Sequence, residues 1–97
     1  MATATFRRDG DALAFAGALV HDAVPALWQE ALRALEGARG FDLSAVTAVD
    51  SAGLALLAEL ADRAGGDVTI AGDPPGLSEL RRAYRLSPAL SFARPQP

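Results

Sequence analysis

Phe41-Asp42-Leu43-Ser44-Ala45-Val46-Thr47-Ala48-Val49-Asp50-Ser51-Ala52-Gly53-Leu54-Ala55-Leu56-Leu57 changes its hydrophobic period in mid-course. Phe41 to Val46 is short, alternates at its start and lies between two helical patterns, which predicts a central strand. A helix begins near Asp50 or Ser51. On a wheel of about 100° per residue, Leu54, Leu56, Leu57, Leu60, Ala61 and Ala64 fill one arc, while Ser51, Ala55, Ala58 and Asp62 line up opposite as a solvent-facing stripe of low relief. Gly65-Gly66 ends the helix.

Working outward toward the N-terminus, Phe6-Arg7-Arg8 and Leu13-Ala14-Phe15-Ala16 flank Asp9-Gly10, a dipeptide that favours the positive φ angles of a tight turn. An opening β-hairpin is expected. Asp22 is placed to cap a helix whose residues Val24, Leu27, Trp28, Ala31, Leu32 and Leu35 share one arc, with Gln29, Glu30, Arg33 and Glu36 on the other. Trp28 is expected to pack in the core. Pro25 falls in the first turn, where a missing N–H costs little, and Gly37 supplies a C′ stop. Toward the C-terminus, Asp67-Val68-Thr69-Ile70-Ala71 reads as a strand and Gly72-Asp73-Pro74-Pro75-Gly76 as a turn. Leu77, Leu80, Ala83 and Tyr84 mark a third amphipathic helix. The tail from Ser87 to Pro97 holds three prolines and is irregular over 88–97, apart from an edge segment expected around Leu90 to Ala93.

The order β-β-α-β-α-β-α describes one layered α/β unit over residues 1–97, with a small mixed sheet. Its two β-α-β crossovers should be right-handed and make the central strands parallel. In open sheets of this kind, ligands and partners meet the protein beyond the carboxyl ends of the strands. Here that place is Thr47 to Gly53.

Composition narrows the function classes. The 97 residues are 51% hydrophobic and 22% charged, with no apolar run near the ~20 residues of a membrane span. The first ten residues lack an apolar signal region, so a cytoplasmic protein is expected. All nine basic residues are arginine, and twelve acids leave a net charge of −3, which argues against nucleic-acid binding. Arg81, Arg82 and Arg85 cluster late and read as a solvated helix face, with a docking patch for an acidic partner as the alternative. With no cysteine and the single histidine His21, neither a thiolate nor a zinc site can be assembled, and no cofactor is expected.

Asp50-Ser51 carries the functional reading. Asp50 is suited to cap the amides of Ala52 or Gly53, which leaves the Ser51 hydroxyl in the first turn and pointing outward. A kinase can reach a hydroxyl so placed. A phosphate there would add about −1.5 to −2 charges to a contact surface while the helix N-terminus tolerates it, so the switch would act on binding.

The quoted stretch resembles the STAS domain family, in which an Asp-Leu-Ser strand is followed by Asp, a hydroxyl residue, a small residue and Gly-Leu. The resemblance implies the STAS fold and a module without catalysis of its own. One branch, the anti-sigma factor antagonists, usually reads Asp-Ser-Ser-Gly. Its first serine, matching Ser51, is phosphorylated by an anti-sigma factor kinase, but the second is Ala52 here. The other branch, the MlaB-like subunits of phospholipid-transport ABC complexes, usually has threonine at the position of Ser51. Its pattern is also similar at Pro25-Ala26-Leu27-Trp28, at Val68-Thr69-Ile70-Ala71-Gly72 and at Leu80-Arg81-Arg82-Ala83-Tyr84-Arg85-Leu86. The resemblance favours this branch. It implies a cytoplasmic subunit, peripheral at the inner membrane, that binds the transporter's ATPase. Ser51 is then the interface hydroxyl, Asp50 and Gly53 shape the turn, and Ala52, Ala55, Ala58, Glu59 and Asp62 continue the contact surface.

An enzyme is not the expected class. Ser51, His21 and Asp50 have the residue types of a hydrolase triad, but the Gly-x-Ser-x-Gly elbow is absent. Gly65-Gly66 and Gly72 to Gly76 lack the lysine and the strand-loop-helix order of phosphate loops.

Overall fold

Asp9-Gly10 turns the chain as its composition dictates. Gly10 sits at φ +63°, and β1 (Thr5–Asp9) pairs antiparallel with β2 (Ala12–Leu19). The computed structural model describes residues 4–65 and 68–84. After β2 come α1 (Val24–Ala34), β3 (Gly40–Val49), α2 (Ser51–Arg63), β4 (Thr69–Ala71) and α3 (Leu77–Ala83). The strands form one sheet in the order β1-β2-β3-β4, with β2, β3 and β4 mutually parallel. This is the α/β STAS-like architecture expected from the element order. The edge segment expected around Leu90 to Ala93 lies outside the described residues.

The strand expected over Phe41 to Val46 runs from Gly40 to Val49. Two extra residues in β3 explain the difference. Pairing with β2 shifts between Ala14 and Ala16 and again between Gly17 and Ala18, so the buried positions Phe41, Leu43, Val46 and Val49 are spaced two, three and three apart instead of alternating. At the first shift the Asp42 carboxylate accepts the Ser44 amide at 2.9 Å and the Ser44 hydroxyl.

α1 and α2 lie side by side on one face of the sheet, and α3 packs on α2. The core between helices and sheet holds Leu13, Phe15, Leu19, Phe41 and Leu43 from the strands with Leu27, Ala31, Leu57, Leu60 and Ala61 from the helices. Phe15 stacks edge-on against Phe41, ring centroids 6.0 Å apart. Trp28 is half-buried against this core, with the Arg63 guanidinium 5.2 Å from its ring centre, so its outer face carries a cation–π contact.

Helix α1 departs from expectation at both ends. The cap residue is Ala23, without a side-chain bond, because the Ala23 amide already closes a turn onto the Val20 carbonyl and places Asp22 inside that turn. The Asp22 carboxylate lies 3.0 Å from His21 Nδ1. At the far end the helix stops at Ala34, and Gly37 follows the Leu35 cap by two residues, at φ +78°. Arg8 reaches across from β1 and donates to the carbonyls of Ala34 and Glu36. A guanidinium thus occupies the negative end of the α1 dipole.

Candidate functional site: the leading end of helix α2

Asp50 joins three elements. Its amide donates to the Leu19 carbonyl at the end of β2 (3.2 Å). In its carboxylate, Oδ1 accepts the Gly53 amide at 2.9 Å and Oδ2 accepts the His21 amide at 3.0 Å. The first turn of α2 is thereby capped and tied to the loop before α1. These bonds to the ionised form, the Gly53 amide first and the His21 amide after it, hold the Asp50 carboxyl below the usual carboxylate range against a smaller opposing effect of burial. The backbone of β2 presses on the same turn. A Cβ on Gly53 would fall on the Leu19 carbonyl oxygen and 2.8 Å from its carbonyl carbon. From the other side the Val49 amide donates to the Pro75 carbonyl at 3.1 Å, and Gly76, at φ +92°, has no room for a side chain against Val49.

On this braced turn Ser51 is exposed, as are Ala55, Glu59 and Asp62 further along the helix. The Ser51 hydroxyl makes no hydrogen bond among the described residues. Ser51, Leu54, Ala55, Ala58 and Tyr84 line an almost wholly apolar cleft of about 150 Å³. That is room for one or two apolar side chains. Tyr84 is 48% exposed and is the one large apolar side chain among the described residues to stand so far into solvent. Half-exposed aromatics beside a hydroxyl are common in protein contact surfaces.

The family model described as "Mlab, STAS domain" matches residues 3–90. The chain belongs to this STAS family. The STAS chain is 38% identical over 85 residues to the intermembrane phospholipid transport system binding protein MlaB of Escherichia coli strain K12, covering 84% of this chain and 88% of that one. The Shigella flexneri protein of the same name matches to the same extent.

Most of the residues singled out in the STAS sequence come together here. Asp50 caps Gly53 as expected, and Ser51 points outward. Ala52 is half-buried, and Gly53 is buried where the turn meets β2. Ala58 is the correction. The helical wheel places it on the solvent stripe, yet it is only 8% exposed, in the wall of the cleft it shares with Tyr84 where α3 packs against α2. The stripe therefore divides into an exposed end around Ser51 and Ala55 and a lower part at Glu59 and Asp62. Ala83 and Tyr84 are also exposed, leaving Leu77 and Leu80 as the packed residues of α3. Two contributors to the site were missed in the sequence. Tyr84 looked like part of an apolar face, and its exposure depends on where α3 ends. His21 enters through its backbone amide, which no side-chain pattern reports. Its imidazole pairs with Asp22 and not with Ser51, so the three residue types of a triad do not form one.

Proposed function

We propose that this STAS protein is a non-catalytic interaction subunit of a phospholipid-transport ABC complex, which binds the complex's ATPase subunit through the leading end of α2. One observation carries the reading: Ser51 and Ala55 stand exposed beside the apolar cleft at Tyr84, on a turn already braced by Asp50. A partner meets a preformed surface, so little ordering entropy opposes binding. Kinship with proteins named for intermembrane phospholipid transport supplies the setting. Among the described residues no helix is long and apolar enough to cross a membrane. In this reading the protein is cytoplasmic and reaches the inner membrane through the ATPase. Affinity capture of the tagged protein, co-expressed with the ATPase and permease of its own transporter, is expected to retain the ATPase. Capture of the tagged protein alone contradicts the reading.

The exposed Ser51 hydroxyl, without a hydrogen-bond partner among the described residues, also supports a second reading as an anti-sigma factor antagonist switched by phosphorylation. That reading requires a phosphate-sized mass gain on Ser51 with an anti-sigma factor kinase, lost in Ser51→Ala.

A further inference from the structure

The sheet has a second face. All three helices lie on the side of Leu13, Phe15 and Phe41, and no described element packs on the other. Along β1, Phe6 and Arg8 turn toward the helices, one against Phe15 and the other onto the end of α1. Arg7 therefore stands on the open face, as strand alternation requires. The ladder register sets Arg7 beside Ala14 and Ala14 beside Asp42, in one row across β1, β2 and β3. The neighbouring rows are Thr5-Ala16-Ala45 and Asp9-Ala12-Gly40.

The charges on this face are laid out in mirror positions about an alanine centre. Adjacent strands are about 4.8 Å apart, so Arg7 and Asp42 flank Ala14 at matching distances and at one level. Among the described residues Arg7 makes no ion pair within 4.0 Å, and Asp42 uses only Oδ1, for Ser44, leaving Oδ2 free. Within one copy the bonds from Ser44 and, more weakly, the Arg7 charge across Ala14 already favour the ionised Asp42 carboxyl, so both groups carry their charge on this face. A two-fold axis running along β2, between two such faces, carries β1 of one copy over β3 of the other. Each Arg7 then meets Asp42 of the second copy, Ala14 meets Ala14, Asp9 meets Gly40 and Thr5 meets Ala45. No like charges are opposed. Arg7 is the middle residue of β1, so its row is the central one of the three, where the ~30° angle between packed sheets displaces it least. The small residues let the two sheets approach closely enough for the ion pairs to close.

We propose that the open sheet face is a self-association surface on which a second copy of this chain docks through reciprocal Arg7 to Asp42 pairs around Ala14. The inference is independent of the ATPase reading, since the Ser51 ends stay free on the outer helical layers. The strands hold 5, 8, 10 and 3 residues and present roughly 400 Å² in projection, well below the ~800 Å² per partner of a standard interface, so the dimer is weak and reversible.

Sedimentation equilibrium of the full chain from about 10 µM to 1 mM tests this. The weight-average mass is expected to rise from 10.0 kDa toward twice that value. Arg7→Glu alone and Asp42→Arg alone should each remain at the monomer mass at every concentration. An equimolar mixture of the two variants should associate again, because the new carboxylate at position 7 meets the new guanidinium at position 42 while the native pair forms between the other two residues. That recovery also shows that both variants are folded. A wild-type mass of 10.0 kDa at the highest concentration overturns the proposal. So does association that neither substitution weakens, or a mixture that stays monomeric.

Discussion

Gly53 and the Leu19 carbonyl occupy space that leaves no room for a single added methyl: a Cβ at position 53 would lie 2.8 Å from the Leu19 carbonyl carbon and closer still to its oxygen. The first turn of α2 is seated directly on the end of β2, backbone against backbone. No side chain is there to rotate aside, so relief requires the helix to lift. Gly53→Ala is expected to cost about 3 kcal/mol of unfolding free energy by overpacking and to weaken partner binding as Ser51 moves. Urea denaturation measures the first effect. A loss under about 0.5 kcal/mol, the range of ordinary surface substitutions, contradicts the close seating.

The Asp50 carboxylate is expected to make the fold acid-sensitive. Its pKa is lowered in the folded state, chiefly by the Gly53 amide, below the ordinary carboxylate range. A carboxyl lowered on folding contributes stability that is fully present above its unfolded pKa and is lost as pH falls through the folded one. Wild type should therefore lose stability relative to Asp50→Asn below about pH 4, with a constant difference near neutrality. Asp50→Ala, which removes the cap at all pH values, should cost about 1 kcal/mol at pH 7. Parallel pH profiles for wild type and Asp50→Asn contradict this assignment.

Much of this architecture was readable in advance because its physics is local. The hairpin followed from Asp9-Gly10 between alternating runs, and the start of α2 from Asp50 three residues ahead of Gly53. The misses have nonlocal causes. The length of β3 was hidden by two added residues that break its alternation. A wheel drawn for one helix contains no α3 and so sets Ala58 in solvent. The sequence offers Asp22 as a cap, a role that a turn from Val20 to Ala23 pre-empts. Tyr84 and the His21 amide join the Ser51 site only through folding, across sequence separations that no periodicity spans.

Arg8 ties two distant elements together. It donates to the Gly10 carbonyl at 2.6 Å, to Glu36 at 2.8 Å and to Ala34, so one side chain links the hairpin turn to the end of α1. Arg8→Ala should lower stability by about 1 to 2 kcal/mol, through lost charge-assisted bonds and the unmatched helix dipole. Arg8→Lys should recover only part of that, since an ammonium cannot reproduce the planar fork. Thermal melts of the three proteins compare these directly. Full recovery by lysine would show that charge alone matters.

Tyr84 should matter more to binding than to folding. At 48% exposure about half of its surface is covered, so truncation is expected to cost about 1 kcal/mol of stability. Tyr84→Ala is expected to lower the melting temperature modestly while weakening ATPase binding at least about tenfold, as loss of an aromatic anchor does. An unaltered affinity would exclude the cleft at Ser51 and Ala55 from the interface.

Titration of the isolated ATPase subunit with wild type and with Ser51→Arg reads the contact surface most directly. Ser51 is exposed, so the bulky cation should leave thermal unfolding within about 0.5 kcal/mol of wild type. At the middle of a close contact it should raise Kd by about 100-fold or more. Equal Kd values for two equally stable proteins would contradict recognition at the leading end of α2.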